Sequence, residues 1–129
     1  MEFPDDVFYT KEHEWVRVEG KTATIGITDY AQSQLGDIVF VELPKVGLEM
    51  KKEDTFGVVE SVKSVSDCFA PVSGKVVEVN EDLTDNPAML NEDCYGDGWI
   101  LKIEMKDAGE AKKLMKTAEY QAFVKEESA

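Results

Sequence analysis

Apolar and polar residues alternate over Thr22 to Ile27, with Ala23, Ile25 and Ile27 set against Thr22, Thr24 and Gly26. A period of two predicts a half-buried strand, and Glu19-Gly20-Lys21 separates it from Val16 to Val18 as a hairpin turn would. From Thr28 to Leu35 the pattern suits one short helix, with Thr28 or Asp29 as N-cap and Gly36 as terminator. Asp37 to Leu43 reads as a strand with Val39, Val41 and Leu43 on one face, stopped by Pro44. Val46 to Met50 reads as a turn, and Lys51-Lys52-Glu53-Asp54 as an exposed loop.

Two more β runs follow, Thr55 to Val62 and Val65 to Phe69. Pro71-Val72-Ser73-Gly74 then signals a turn before a strand over Lys75 to Val79. The runs at Gly57-Val58-Val59 and Gly74-Lys75-Val76-Val77 each start at glycine and continue into valine, a similarity too short to define a repeat. Asn80 to Asn91 reads as a loop with a helical turn. Trp99 to Met105 is a strand with Trp99, Leu101 and Ile103 on one face. In the tail the period lengthens. Asp107 and Glu110 have capping-box spacing, and Thr117 heads a helix whose apolar stripe is Tyr120, Phe123 and Val124. Many short strands, one small helix and a helical tail predict a mainly β fold, a small barrel or sandwich. The expected organisation is a single domain over residues 1–129, with its core at about 9–105 and the tail at about 107–127.

Charge narrows the range of partners. Fourteen Lys and Arg face 27 Asp and Glu, a net charge of −13 on 129 residues. Such a surface repels nucleic acid and anionic membranes and suits proteins with basic docking patches, although acidity also serves plain solubility. Cys68 and Cys94 are far apart, and His13 is the single histidine, so a zinc site has too few ligands. A disulfide between the two cysteines stays open at this point, although nothing suggests a secreted framework. No apolar run is long enough to span a membrane. The acidic Met-Glu-Phe-Pro-Asp-Asp start has no signal core or Arg-rich transit pattern. The expected location is a reducing compartment: the cytoplasm, or the mitochondrial matrix if a leader has been removed.

The chemistry concentrates in Gly57-Val58-Val59-Glu60-Ser61-Val62-Lys63-Ser64-Val65-Ser66-Asp67. Lys63 lies between two strand-like runs, and a reversal there would lift its amine to a hairpin tip. Amide formation needs an accessible amine on a rigid platform, which a lysine on a buried strand face cannot offer. The competing reading of Lys63 is a solvated charge, since the tip lacks an Asn-Gly or Asp-Gly pair.

Several segments together resemble the glycine cleavage H-protein family. They are His13-Glu14-Trp15-Val16, Ala23-Thr24-Ile25-Gly26-Ile27-Thr28, Gly36-Asp37-Ile38-Val39-Phe40-Val41-Glu42-Leu43-Pro44, Val59-Glu60-Ser61-Val62-Lys63, Pro71-Val72-Ser73-Gly74 and Gly96-Asp97-Gly98-Trp99. They run in the family's order from about Tyr9 to Phe123. Biotin carriers usually have Met-Lys-Met at the tip, and lipoyl domains of 2-oxoacid dehydrogenases Asp-Lys-Ala; this chain has Val62-Lys63-Ser64. Ser64 and Cys68 are small departures from the family pattern that leave the amine in place.

The resemblance implies a lipoyl/biotinyl-type barrel-sandwich hybrid carrying lipoate in amide linkage at Lys63, with Glu60, Val62, Ser64 and Asp67 as context for the lipoate-attaching enzyme. For Glu60 and Asp67, solvated strand ends are the competing reading. It further implies a non-catalytic, monomeric carrier serving three enzymes: a pyridoxal-phosphate glycine decarboxylase (P-protein), a tetrahydrofolate-dependent aminomethyltransferase (T-protein) and dihydrolipoyl dehydrogenase (L-protein). Glu14 matches a family glutamate that holds the aminomethyl amine in a cleft; a solvated charge beside packed Trp15 is the alternative. His13, Trp15 and Trp99 read as packing residues, and Cys68 as a small apolar strand residue. An H-like relay that supplies lipoate to other lipoyl domains would use the same lysine. A stand-alone enzyme fits poorly, since no phosphate loop, metal cluster or nucleophile–base pair is evident.

Overall fold

The structure, a computed structural model, describes residues 1–128. β1 (Phe8–Tyr9), β2 (Glu14–Glu19) and β3 (Thr22–Ile27) lead into α1 (Asp29–Leu35). Then come β4 (Ile38–Glu42), β5 (Glu49–Met50), β6 (Thr55–Ser61), β7 (Val65–Phe69) and β8 (Gly74–Val79). Two short helices, α2 (Asp82–Asp85) and α3 (Met89–Glu92), precede β9 (Leu101–Met105), and α4 (Gly109–Lys112) and α5 (Thr117–Glu127) form the tail. One antiparallel sheet has the order β1-β2-β3-β9-β8-β5, the other β4-β6-β7. The fold is mainly β. No strand pairing among the described residues joins the two sheets into a closed barrel. The two glycine-led runs, β6 and β8, fall in different sheets.

The apolar positions sort into two clusters. Val16, Ile25, Val76, Leu101 and Ile103 of the larger sheet meet Val41, Val59 and Cys68 of the smaller one. A second cluster gathers Tyr9, Trp15, Tyr95, Tyr120 and Val124, binding the tail helix to the outside of the larger sheet. β2 serves both, sending Val16 to one cluster and Trp15 to the other, as strand alternation requires. Cys68 and Cys94 are free and buried in different clusters, so no disulfide joins them.

Several expectations change. Val39 does not share a face with Val41: a register shift between Ile38 and Phe40 turns Ile38 and Val41 inward and leaves Val39 56% and Phe40 49% exposed. A bulge adds one residue and so inverts the alternation beyond it. β3 is buried on both faces, because Trp15 pairs with Gly26 and its ring covers the side that would otherwise be solvated. The turn at Val46 to Met50 includes β5, paired with β8 through Glu49–Lys75 and Met50–Gly74. Trp99 precedes β9 and packs in the second cluster, while Leu101 and Ile103 face the first.

The helix caps follow the sequence unevenly. Thr28 caps α1, its Oγ1 accepting from Ala31 N at 3.2 Å. Gly36 ends that helix at φ +80°, a conformation that glycine adopts without a Cβ clash. The Asp107–Glu110 box does not form: Glu110 instead accepts from Ser73 N at 2.8 Å and Ser73 Oγ at 3.2 Å, tying the tail to the turn before β8. Thr117 is the first residue of α5 rather than its cap, and its hydroxyl donates to Pro4 O at 2.9 Å. Tyr120 and Val124 are buried as the stripe predicts, and Phe123 is half-buried.

Candidate functional site

β6 and β7 form a hairpin, with Glu60 opposite Val65 and Val58 opposite Asp67. The four residues that reverse it are Ser61, Val62, Lys63 and Ser64. Ser61 N donates to Ser64 O at 2.8 Å, and Ser64 N donates to Ser61 Oγ at 3.1 Å. The serines therefore close the turn that an Asn-Gly pair closes elsewhere, with a side-chain oxygen as the second acceptor. Lys63 and Ser64 are exposed, and Val62 is 75% exposed. The turn leans on the junction of α1 and β4, where Val62 N donates to Asp37 O at 3.0 Å. The methylene stem of Lys63 passes over Gly36, close enough that a Cβ there would lie 3.4 Å from Lys63 Cε. Glu60 is half-buried; Asp67 is exposed on the outer strand of the hairpin.

β7 leads from this tip to a cleft. Its five residues span about 13 Å at strand rise. They end at Phe69, which with Tyr9, Pro71, Leu114 and Met115 lines a cavity of about 220 Å³. Tyr9 and Met115 pair through two backbone hydrogen bonds, 2.8 and 3.0 Å, so the tail forms one wall. Glu14 sits at the floor, 2% exposed, which overturns the reading of a solvated charge.

Thr10 holds Glu14 in place. Its Oγ1 donates to Glu14 Oε1 at 2.7 Å and accepts from Glu14 N at 3.0 Å; Phe69 N donates to Glu14 Oε2 at 3.3 Å. The loop between them turns through His13, whose φ of +70° is unusual for a residue with a side chain. Burial is the main influence on the Glu14 carboxyl and pushes it up to about 7, against the two hydrogen bonds that favour the ionised form. Burial likewise pushes the Cys68 thiol well up, so it is a protonated core residue. His13 is a packing residue. Its Nδ1 is 2.8 Å from Tyr120 Oη and its Nε2 2.9 Å from Glu127, with burial lowering its pKa.

Sequence reasoning placed Lys63, Glu60, Val62, Ser64 and Asp67 together, and the hairpin does bring them together. Glu14 lies at the other end of β7. Three contributors went unread: Thr10, the Leu114–Met115 wall and Asn91. Asn91 reaches the α1–β4 junction from α3 and carries no local signal in the sequence.

An exposed lysine on a hydrogen-bonded turn, with a cleft and a buried carboxyl at the far end of the same strand, is equipment for presenting a group. The class is a carrier, not a catalyst. The model of the glycine cleavage H-protein family matches residues 7–127. The glycine cleavage system H protein of Symbiobacterium thermophilum is 58% identical over 123 residues, covering 95% of this chain and 96% of the relative. That of Bacillus subtilis is 54% identical over 127 residues, 98% of this chain and all of the relative. The crystal structure of a glycine cleavage system H protein from Mycobacterium marinum superposes with a TM-score of 0.85 at 39% identity, covering 92% of this chain and 96% of that one. The chain belongs to the glycine cleavage H-protein family.

Proposed function

We propose that this chain carries lipoate in amide linkage on Lys63 and shuttles an aminomethyl group within the glycine cleavage system. In that cycle the glycine decarboxylase loads the carrier, the aminomethyltransferase unloads it to tetrahydrofolate, and dihydrolipoyl dehydrogenase resets it. The observation that carries the reading is the tip itself: the Lys63 amine stands in solvent on a turn whose backbone is fixed by its own serines and by Asp37 O. A modifying enzyme needs this combination of reach and fixed geometry. Once attached, lipoate supplies a disulfide that can accept the aminomethyl group at one sulfur. Amide formation removes one lysine charge, leaving the chain one unit more negative than −13. The bacterial relatives support a cytoplasmic setting.

The residues of the chain have three tasks in this reading. Glu60, Val62, Ser64 and Asp67 give the attaching enzyme its local surface around Lys63. Phe69, Pro71, Leu114 and Met115 give the arm apolar contacts at the end of β7, in an open cleft that Lys11, Glu12, Lys52, Glu53 and Lys113 also line. Glu14 receives the cationic amine at the floor. With its carboxyl poised near 7, an incoming ammonium favours the ionised form and displaces the proton, so docking exchanges one positive charge for another in a buried site. A permanently ionised carboxylate would have to be kept desolvated when the cleft is empty, at greater cost.

The test is intact mass and peptide mapping after incubation with lipoate and the attaching enzyme, beside Lys63→Arg. One lipoyl increment on the Lys63 peptide, absent from the variant, is the expected result. A folded chain that takes up none overturns the proposal.

A further inference from the structure

Lys63 is held from a distance, and the residue responsible comes from another part of the chain. Asn91, in α3, uses its whole amide. Its Oδ1 accepts from Ile38 N at 3.0 Å. Its Nδ2 donates to Gly36 O and to Gln32 Oε1, both at 2.9 Å. Gln32 is fixed in turn, its Nε2 donating to Asp29 Oδ1 at 2.7 Å. Asn91 therefore grips the chain on both sides of Asp37. The carbonyl of Asp37 accepts from Val62 N, the residue before Lys63, and Gly36 underlies the lysine stem. The segment also carries two conformational irregularities, the positive φ of Gly36 and the register shift after Ile38; the β4–β6 ladder begins at Ile38, opposite Ser61, so Gly36 and Asp37 lie before it.

We infer that Asn91 is a positioning residue for modification of Lys63: it sets the α1–β4 junction on which the tip rests, and so sets the height and direction of the amine that the attaching enzyme meets. The inference rests on Lys63 being the attachment lysine. The chemistry of the side chain fits the task. An amide offers one acceptor and two donors, which the junction uses in full. Asn91→Asp keeps the volume and the acceptor for Ile38 N, but sets an oxygen against Gly36 O and Gln32 Oε1. Gln32 could invert its amide only by giving up its bond to Asp29, and Gly36 O cannot invert at all. The junction must then open, and Val62 loses its fixed acceptor.

The experiment compares the full chain with Asn91→Asp and Gln32→Ala, using three readouts: kcat and KM for lipoate attachment by the attaching enzyme, acetylation of Lys63 by acetic anhydride mapped by peptide mass, and hydrogen exchange of the Val62 amide. For Asn91→Asp the expected results are a loss of about tenfold in kcat/KM, carried mainly by kcat, acetylation of Lys63 at least as fast as in the parent, and exchange at Val62 about tenfold faster. Gln32→Ala should move in the same direction by less. A small reagent needs no placed lysine, so unequal effects on enzymatic and chemical acylation separate positioning from a loss of folded protein, which would speed exchange throughout the chain. Attachment at the parent's rate in folded Asn91→Asp overturns the inference, as does an unchanged Val62 exchange rate. If Asn91→Asp does not fold, Gln32→Ala decides by the same criteria. Failure of the parent itself to take lipoate would instead sink the attachment reading.

Discussion

Replacing Glu14 by glutamine isolates the cost of an ionised carboxyl in the cleft. Its pKa rises on folding from 4.5 to about 7, with burial as the main cause. Between those values the unfolded chain releases a proton that the folded chain keeps, so stability falls as pH rises through that window. The contribution is zero below 4.5, where both states are protonated, and complete above 7. At about 1.4 kcal/mol per unit the whole effect is about 3 kcal/mol. Glutamine is neutral throughout. Its NH2 must face Thr10 or Phe69 N–H, each of which now donates to the carboxyl, at a cost of about 1 kcal/mol.

The variant should therefore be about 1 kcal/mol less stable than the parent at pH 4.5 and about 2 kcal/mol more stable at pH 8, changing sign at about pH 5–6. His13 works the other way. Its pKa is lowered by burial, so its contribution is lost as pH falls below 6.5, and the parent's own curve mixes the two. The difference curve between variant and parent removes His13 from the comparison. Urea unfolding at half-unit steps from pH 4.5 to 8, at constant salt, reads it directly from the midpoints. A difference that stays flat within about 0.5 kcal/mol across this range refutes the reasoning.

Two further substitutions test the packing around the site. Tyr120→Phe removes a hydroxyl that lies 2.7 Å from Thr28 Oγ1 and 2.8 Å from His13 Nδ1; calorimetry should show a loss of about 1–3 kcal/mol, or roughly 3–9 °C in Tm. Gly26→Ala places a Cβ 2.7 Å from the Trp15 ring, which the Cys94 carbonyl holds in place; a loss of about 1–3 kcal/mol is expected by urea titration, and an unchanged midpoint would mean that the ring yields freely.

What the sequence disclosed depended on the range of the interaction. The β2–β3 hairpin was legible because Gly20 and the alternation of Ala23, Ile25 and Ile27 are local, and α1 because Thr28 and Gly36 bracket it. The bulge at Ile38–Phe40 was not, because an extra residue leaves composition unchanged and only pairing with β6 reveals it. Glu110 has capping-box spacing, yet a tertiary partner, Ser73, outcompetes the local one. At the site, Lys63 stood out through its flanking motif. The burial of Glu14 could not be read, since the residues that enclose it arrive from Phe69 and from Leu114–Met115 in the tail. Thr10 and Asn91 act through side-chain hydrogen bonds across the fold, and those have no periodicity to detect.

The placement of the two tryptophans decides what light can report about this molecule. Trp15 is buried, with its indole N–H on Cys94 O at 3.0 Å and the Arg17 guanidinium 4.9 Å from the ring. Trp99 is half-buried, with the Lys102 ammonium 5.0 Å from its ring. Both belong to the cluster that binds the tail, and neither to the strands that carry Lys63. Intrinsic emission is therefore a gauge of one half of the core, insensitive to events at the hairpin tip. Circular dichroism weights the strands of both sheets. If the emission transition preceded the dichroic one on heating, the tail would be peeling away while the sandwich stayed closed.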